Sequence, residues 1–157
     1  MDFKKILDAA LLPTAILVVT GLVVSIATIV AEFSFYLLSC IVGLPLAVLQ
    51  IGIVMAVLGW TGFRATKSGL DLVSSVVAAV LAGAVSGTIN AIVSFIVGIV
   101  AVSVVFGSDN MAAMGMPESG SMTIALWLVV AIIIAAGFGA GIGLIAGAIG
   151  ALIGERD

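Results

Sequence analysis

Charged residues divide this chain into four long apolar runs. Each run between the charged clusters has at least 23 residues without Asp, Glu, Lys or Arg. About 20 apolar residues cross a bilayer as a helix, so each run is long enough for one crossing. Lipid leaves backbone groups without hydrogen-bond partners, which restricts spans to helices or closed barrels, and we see no alternating ten-residue strands of the barrel type. The pattern predicts four transmembrane helices over about 9–31, 35–60, 70–106 and 122–154.

These four helices predict an all-α fold, a single transmembrane domain in which two helical hairpins form a four-helix bundle. We expect Pro13 in the first turn of the first helix, where its missing N–H costs little. Residues 61–71 carry the densest charge and are predicted to form a solvated loop or a short interfacial turn. The third and fourth helices exceed the hydrocarbon thickness, so the third is expected to tilt, to extend into water, or to break near Gly83 or Gly87. The surplus length of both predicts that they project together as an antiparallel pair.

Basic residues fall on one side of the predicted membrane. They lie before the first span, between the second and third, and after the fourth, at Lys4, Lys5, Arg64, Lys67 and Arg156. The acidic residues Glu32, Asp109 and Glu118 occupy the two alternate loops. Because cytoplasmic loops are enriched in Lys and Arg, we expect a multi-pass protein of the cell membrane with both termini in the cytoplasm.

Composition supports the membrane interpretation and excludes several kinds of chemistry. Hydrophobic residues make up 64% of the chain and charged residues 8%, against roughly a half and a quarter in soluble domains. Histidine is absent and Cys40 is the single cysteine, so the commonest general base is missing and no disulfide framework exists. With no paired carboxylates in any span and no basic face, we expect no catalytic residue, cofactor or nucleic-acid partner.

Small residues recur at helical spacing in the last two spans. Apolar burial gives helices in lipid no reason to associate, so close packing through small residues takes that role. One stripe of small residues is predicted in the fourth helix, at Gly139, Gly143 and Gly147, and a matching one in the third, at Ala79, Gly83 and Gly87. In an antiparallel hairpin the two stripes can face each other.

Four further glycines of the fourth helix lie off its stripe and need another surface. They are Gly137, Gly141, Gly150 and Gly154. A second helix of the chain, a neighbouring protomer or, less simply, a pore would supply that surface.

Two amides and three methionines are the other candidate functional residues. Gln50 and Asn90 lie near mid-length of their spans, and unpaired polar groups in hydrocarbon are costly, so they are predicted either to bond to neighbours or to line a polar path. Met111, Met114 and Met116 of the second outer loop resemble the extracellular methionine motifs of copper transporters. Thioethers are soft ligands that select Cu(I).

Two resemblances to known families can be stated. Residues 62–98, an aromatic-Arg-Ala-x-Lys turn followed by a small-residue helix, resemble small uncharacterised prokaryotic membrane proteins, especially archaeal ones, and that resemblance brings no activity. The four glycine-rich spans are loosely similar to the duplicated proteolipids of rotary ATPase rings. The second and fourth spans of those proteins hold an ion-carrying carboxylate, which this chain lacks in both.

The sequence therefore favours a non-enzymatic membrane protein with a structural or interaction role, a scaffold or complex subunit packed through glycine stripes. Its expected partners are the lipid bilayer and a second copy or another membrane protein. The alternative is a small channel or transporter with a polar path near Gln50 and Asn90. Cu(I) handling by the outer loop is a more distant third.

Overall fold

The described residues form four long helices. A computed structural model describes residues 3–34, 39–106 and 120–156, with side chains described at 3–29, 44–100 and 125–156. The helices are α1 (Phe3–Ser34), α2 (Ser39–Lys67), α3 (Leu72–Phe106) and α4 (Gly120–Arg156). All four are long and apolar enough to cross a membrane, so the protein is an all-α, multi-pass membrane protein.

The helices alternate in direction. Along α3 and α4 the contacts run in opposite senses, with Ala79 against Gly143 and Gly83 against Gly139. Along α2 and α4 they run in the same sense, with Gly59 against Gly150 and Phe63 against Gly154. In the described residues α3 touches all three other helices, whereas α1 and α4 do not touch each other. The order around the bundle is therefore α1, α2, α4, α3, with α2 and α3 meeting across it.

The first helix begins earlier than the sequence indicated. Because α1 starts at Phe3, Pro13 lies well inside it and not in its first turn. The charged side chains near the start are exposed, but Ile6 and Ala10 are buried at helical spacing, and Pro13 continues the same buried face. Packing of this face holds the early turns in the helix, and the exposed charges had suggested a later start.

The second helix also continues past its expected end. Residues 61–67, which the sequence assigned to a loop, form the last turns of α2. Thr61 and Ala65 face the core with no exposed surface, whereas Arg64 and Lys67 are exposed. This segment is therefore the amphipathic end of a helix. Its high density of charged residues led to the wrong prediction of a loop. The start of α1 and the end of α2 therefore lie beside the α3–α4 pair at this end of the bundle. That this pair projects from the membrane stays a prediction.

A four-residue turn joins α2 to α3. Gly69 has a φ of 84°, the left-handed conformation that glycine adopts without a Cβ clash. The N–H groups of Gly69 and Leu70 donate to the carbonyls of Thr66 and Ala65, which is the Schellman arrangement at a helix C-terminus. Leu70 is buried near Ala65, completing the hydrophobic contact that accompanies this motif.

Asp71 caps the start of α3. Its carboxylate accepts hydrogen bonds from the Ser74 hydroxyl and from the Ser74 backbone N–H. These bonds stabilise the charged form and lower the pKa of Asp71 below its ordinary value. A cap of this kind satisfies an N–H that the first helical turn leaves free.

The bundle is packed unevenly along its length. Among the described side chains, buried positions extend only to Gly21 on α1 and to Ser86 on α3, and begin only at Leu58 on α2 and Gly143 on α4. All of these lie in the half that holds the start of α1, the α2–α3 turn and the end of α4, which we call the closed end. The opposite half, the open half, has helices but no buried layer among its described side chains.

The third helix is continuous, and neither Gly83 nor Gly87 breaks it. Its 35 residues extend about 52 Å at 1.5 Å per residue, longer than a hydrocarbon core of about 30 Å. Its backbone meets that of α4 directly: a Cβ added at Gly83 would overlap the carbonyl oxygen of Gly139, and one added at Gly139 would overlap the carbonyl oxygen of Gly83. Neither position has room for a methyl group.

Gly139→Ala should therefore destabilise the protein while Gly141→Ala should not. Overpacking of this kind costs about 1–3 kcal/mol, because a rigid backbone lies where the methyl must go. At Gly141 nothing lies within 4 Å of the added Cβ, so the only effect is the helix preference for Ala, worth up to about 1 kcal/mol. Thermal unfolding of the two purified variants in detergent measures the difference. Equal stability of both would contradict the packing described here.

Candidate functional site

A partly open cavity of about 300 Å³ lies between the helices where the closed end meets the open half. All four helices contribute to its wall. The closed-end side is apolar and includes Leu17, Val54 and Ile142. The polar side chains on its wall are Ser25, Gln50, Ser86, Asn90 and Ser94.

The structure brings Gln50 of α2 and Asn90 of α3 to this one cavity. Both are half-buried. The Asn90 Nδ2 donates a hydrogen bond of 3.2 Å to the backbone carbonyl oxygen of Leu17 on α1. The Gln50 amide has no hydrogen bond to another described residue. One of the two amides therefore joins helices, and the other keeps its hydrogen-bonding capacity.

The Asn90 amide lies directly on Gly21 of α1. A Cβ added at Gly21 would overlap the amide nitrogen, carbon and oxygen of Asn90. The Asn90 Oδ1 is buried and has no hydrogen-bond partner among the described residues. A buried acceptor without a donor costs free energy. The close contact with Gly21 therefore holds the Asn90 amide in a position where its nitrogen is hydrogen-bonded and its oxygen is not.

A second polar contact joins α1 and α3 one turn further into the open half. The hydroxyls of Ser25 and Ser94 are hydrogen-bonded at 2.9 Å. One of these hydroxyls must donate to the other, which leaves the accepting hydroxyl with a proton to give elsewhere. Ser86, on the same helix, donates to the carbonyl oxygen of Gly83 at 3.2 Å. The cavity thus retains unused donors and acceptors along the side formed by α1 and α3.

The described lining carries no charged residue. Its chemistry is limited to neutral hydrogen bonds from amides and hydroxyls beside apolar side chains. Such a site can hold water or a small uncharged polar molecule. It has no group that would balance the charge of an ion or move a proton at neutral pH.

The six residues of the predicted stripes lie in one interface between α3 and α4. Gly83 meets Gly139, while Gly143 and Gly147 both meet Ala79. Gly87 meets Ala135 of α4, which the predicted stripe did not include. That these contacts hold the two helices together in lipid stays a prediction, which the Gly139 substitution tests.

The glycines off the stripe divide into two groups. Gly150 packs against the backbone of Gly59, and Gly154 lies against Phe63 of α2. Gly137 and Gly141 have nothing within 4 Å of an added Cβ. A second helix of the chain therefore covers one group and leaves the other uncovered among the described residues.

The α1 and α2 sides of these contacts were not predicted from the sequence. Gly21 and Ser25 are four residues apart on α1, as Asn90 and Ser94 are on α3, so the four form one seam when the helices run in the same sense. Matching these two spacings could have found it. Gly59 of α2 was a comparable signal for the contact with α4.

The methionine site remains untested. Met111, Met114 and Met116 lie outside the described residues. In the described part of the chain, no group of three His, Cys, Asp or Glu side chains could hold a metal ion.

No protein-family model, curated protein or solved structure matches this chain. The role of the candidate site can therefore be inferred only from its geometry.

Gly21→Ala should weaken the contact between α1 and α3. The methyl group displaces the Asn90 amide from Leu17, and hydrogen bonds between membrane helices are worth about 1 kcal/mol. In an Asn90→Ala background the space is already empty, so the same substitution should have almost no cost. A double-mutant cycle measured by unfolding in detergent gives the coupling, expected at about 0.5 kcal/mol or more. Gly52→Ala, with nothing within 4 Å of its added Cβ, is the matched control, and additive effects would contradict the contact.

Proposed function

We propose that this chain is a non-enzymatic membrane protein with a structural or interaction role, a scaffold or complex subunit that binds another membrane helix through α4. The supporting observation is the pair Gly137 and Gly141, four residues apart, exposed and uncovered among the described residues. Glycines at this spacing let a second backbone come close in lipid. The glycines of α4 from Gly139 onwards, apart from Gly141, already pack against α3 or α2.

The surroundings of this pair favour a helix as the partner. Bulky exposed side chains flank this glycine strip on either side, namely Ile133, Ile134 and Phe138. The strip between them is a shallow groove into which another helix can pack. Because both glycines are exposed and no described residue lies within 4 Å of their added Cβ atoms, this outer face of α4 can accept a second copy of the chain or another membrane protein.

We propose further that the closed end faces the cytoplasm and that the protein resides in the cell membrane. The helix ends that carry the basic residues lie together at that end. These residues are Lys4, Lys5, Arg64, Lys67 and Arg156. The excess of Lys and Arg in cytoplasmic segments then supports an orientation with both termini inside.

Gly141→Leu should disrupt assembly without destabilising the fold. A leucine side chain occupies the strip that the partner helix needs, while no described residue lies within 4 Å of its Cβ. The detergent-solubilised protein should shift to the size of a single chain or lose its co-purifying partner, with thermal stability unchanged. Size-exclusion chromatography with light scattering measures the first and a thermal melt the second.

Gly143→Leu is the matched comparison, two residues along the same helix. Gly143 lies against the backbone of Ala79 and Val80, so this variant should lose stability before any change in assembly can be separated from it. Unchanged size and unchanged partners for both Gly137→Leu and Gly141→Leu would reject the interaction proposal.

The second candidate function is a small channel or transporter, favoured by the cavity that Gln50 and Asn90 both line. Binding sites of transporters lie near mid-membrane between helices, and both residues lie near mid-length of their helices. The uncharged lining favours a neutral solute over an ion. The closed end would then block one side of the path.

Gln50→Leu should abolish any flux of neutral solutes through the protein. Vesicles containing the purified chain are shocked osmotically with urea or glycerol, and their swelling is followed by light scattering. Val48→Leu is the matched control, because Val48 is 63% exposed on the outside of the same helix. Swelling no faster than that of empty vesicles, or equally fast in both variants, would reject transport through this cavity.

A further inference from the structure

A second, larger depression lies on the outside of the bundle between α2 and α4. It has a volume of about 470 Å³ and is open towards the surroundings of the protein. Its residues are apolar, and none of those described is charged. We call it the α2–α4 groove. It is distinct from the central cavity and shares no lining residue with it.

Small residues make the floor of the α2–α4 groove. Gly59 and Gly150 meet backbone to backbone, so no side chain fills the space above them. Larger side chains form the two walls, Met55 and Phe63 on α2 and Ile153 on α4. A groove with a bare floor and apolar walls, facing sideways from a membrane helix pair, has the shape and polarity for an acyl chain.

Two cations stand at one end of this groove. Arg64 lies over the Trp60 ring, with Cζ 5.4 Å from the ring centroid, and Lys67 lies over the Phe63 ring, with Nζ at 5.8 Å. Trp60 and Phe63 are themselves groove residues. The rings thus hold both cations beside the mouth of the groove, at the end of the helix where Trp and basic side chains favour the membrane interface.

Neither cation pairs with a carboxylate among the described residues. Arg64 and Lys67 are exposed and form no ion pair with a described residue. Glu155, near the end of α4, lies at the same end of the bundle but makes no ion pair with Arg64 or Lys67. Two positive charges above an apolar groove, neither in an ion pair with a described residue, are complementary to a molecule with an anionic head and a hydrocarbon tail.

We propose that the α2–α4 groove binds one acyl chain of an anionic phospholipid, with the headgroup phosphate held by Arg64 and Lys67. The phosphate accepts hydrogen bonds from the guanidinium and ammonium groups, and the acyl chain covers Gly59 and Gly150. Basic side chains near a membrane surface attract anionic lipid by about fivefold each. The site therefore selects lipids by headgroup charge at the closed end of the bundle.

Quenching of Trp60 fluorescence tests this site. Trp127→Phe leaves Trp60 as the single tryptophan of the full chain, reconstituted in phosphatidylcholine vesicles with a fixed minor fraction of brominated lipid. Brominated phosphatidylglycerol should quench Trp60 with about fivefold or greater preference over brominated phosphatidylcholine. Equal quenching by the two lipids would overturn the proposal.

Three variants separate the parts of the site. Arg64→Gln with Lys67→Gln should remove the preference, whereas Lys4→Gln with Lys5→Gln, the same charge change on α1, should keep it. Ala56→Leu, at an exposed groove position, should reduce quenching by the acyl chain while both cations remain. If the preference for brominated phosphatidylglycerol is unchanged in the Arg64 and Lys67 double variant and also in Ala56→Leu, the proposal is overturned.

Inorganic phosphate distinguishes a lipid from a free anion. Added to the same vesicles, it should leave the quenching by brominated phosphatidylglycerol unchanged, because it cannot occupy the groove. Displacement of the lipid by inorganic phosphate at constant ionic strength would show that the cations bind a free anion, and would overturn the assignment to a lipid.

Discussion

Close approach of helix backbones is the interaction on which this structure depends. In lipid the hydrophobic effect does not draw helices together, so we expect the contacts at Gly83 with Gly139 and at Gly59 with Gly150 to provide much of the attraction by van der Waals packing. Both contacts include α4, which otherwise exposes isoleucine and leucine side chains along its outer face. The positions of the glycines thus indicate which sides of α4 pack against other helices of the chain and which sides are exposed.

The same bare surfaces generate the sites proposed above. Where two glycines meet a partner backbone they close the bundle, and where they meet nothing they leave a strip or a groove. Gly150 shows both effects, because its contact with Gly59 joins two helices and also forms the floor of the α2–α4 groove. Packing and binding surface therefore arise from one feature of the sequence.

Much of the architecture could be predicted from the sequence, and the failures have a common physical origin. Long charge-free runs indicate membrane helices because lipid permits little else, and the four helices agree with that. The ends of α1 and α2 were wrong because exposed charges such as Arg64 were taken as the end of a helix. A helix that leaves the hydrocarbon can continue in an amphipathic form, as the buried positions Ile6 and Ala65 show.

Of the candidate site, the sequence indicated Gln50 and Asn90 by their polarity but could not show that they share a cavity. Whether they line one cavity depends on which helices are neighbours. No single segment of the sequence specifies the order α1, α2, α4, α3 around the bundle. Gly21 was missed for the same reason, because its role appears only when Asn90 of another helix lies on it.

The uneven packing determines which helix can move. In the open half α4 stays attached to α3 through Gly87 and Ala135, and α1 through the Ser25–Ser94 bond. The corresponding stretch of α2, residues 44–53, has neither a glycine contact nor a hydrogen bond to another helix among the described residues. We therefore expect the α2 wall of the central cavity to move more readily than the other three walls, with the buried residue Leu58 as its pivot.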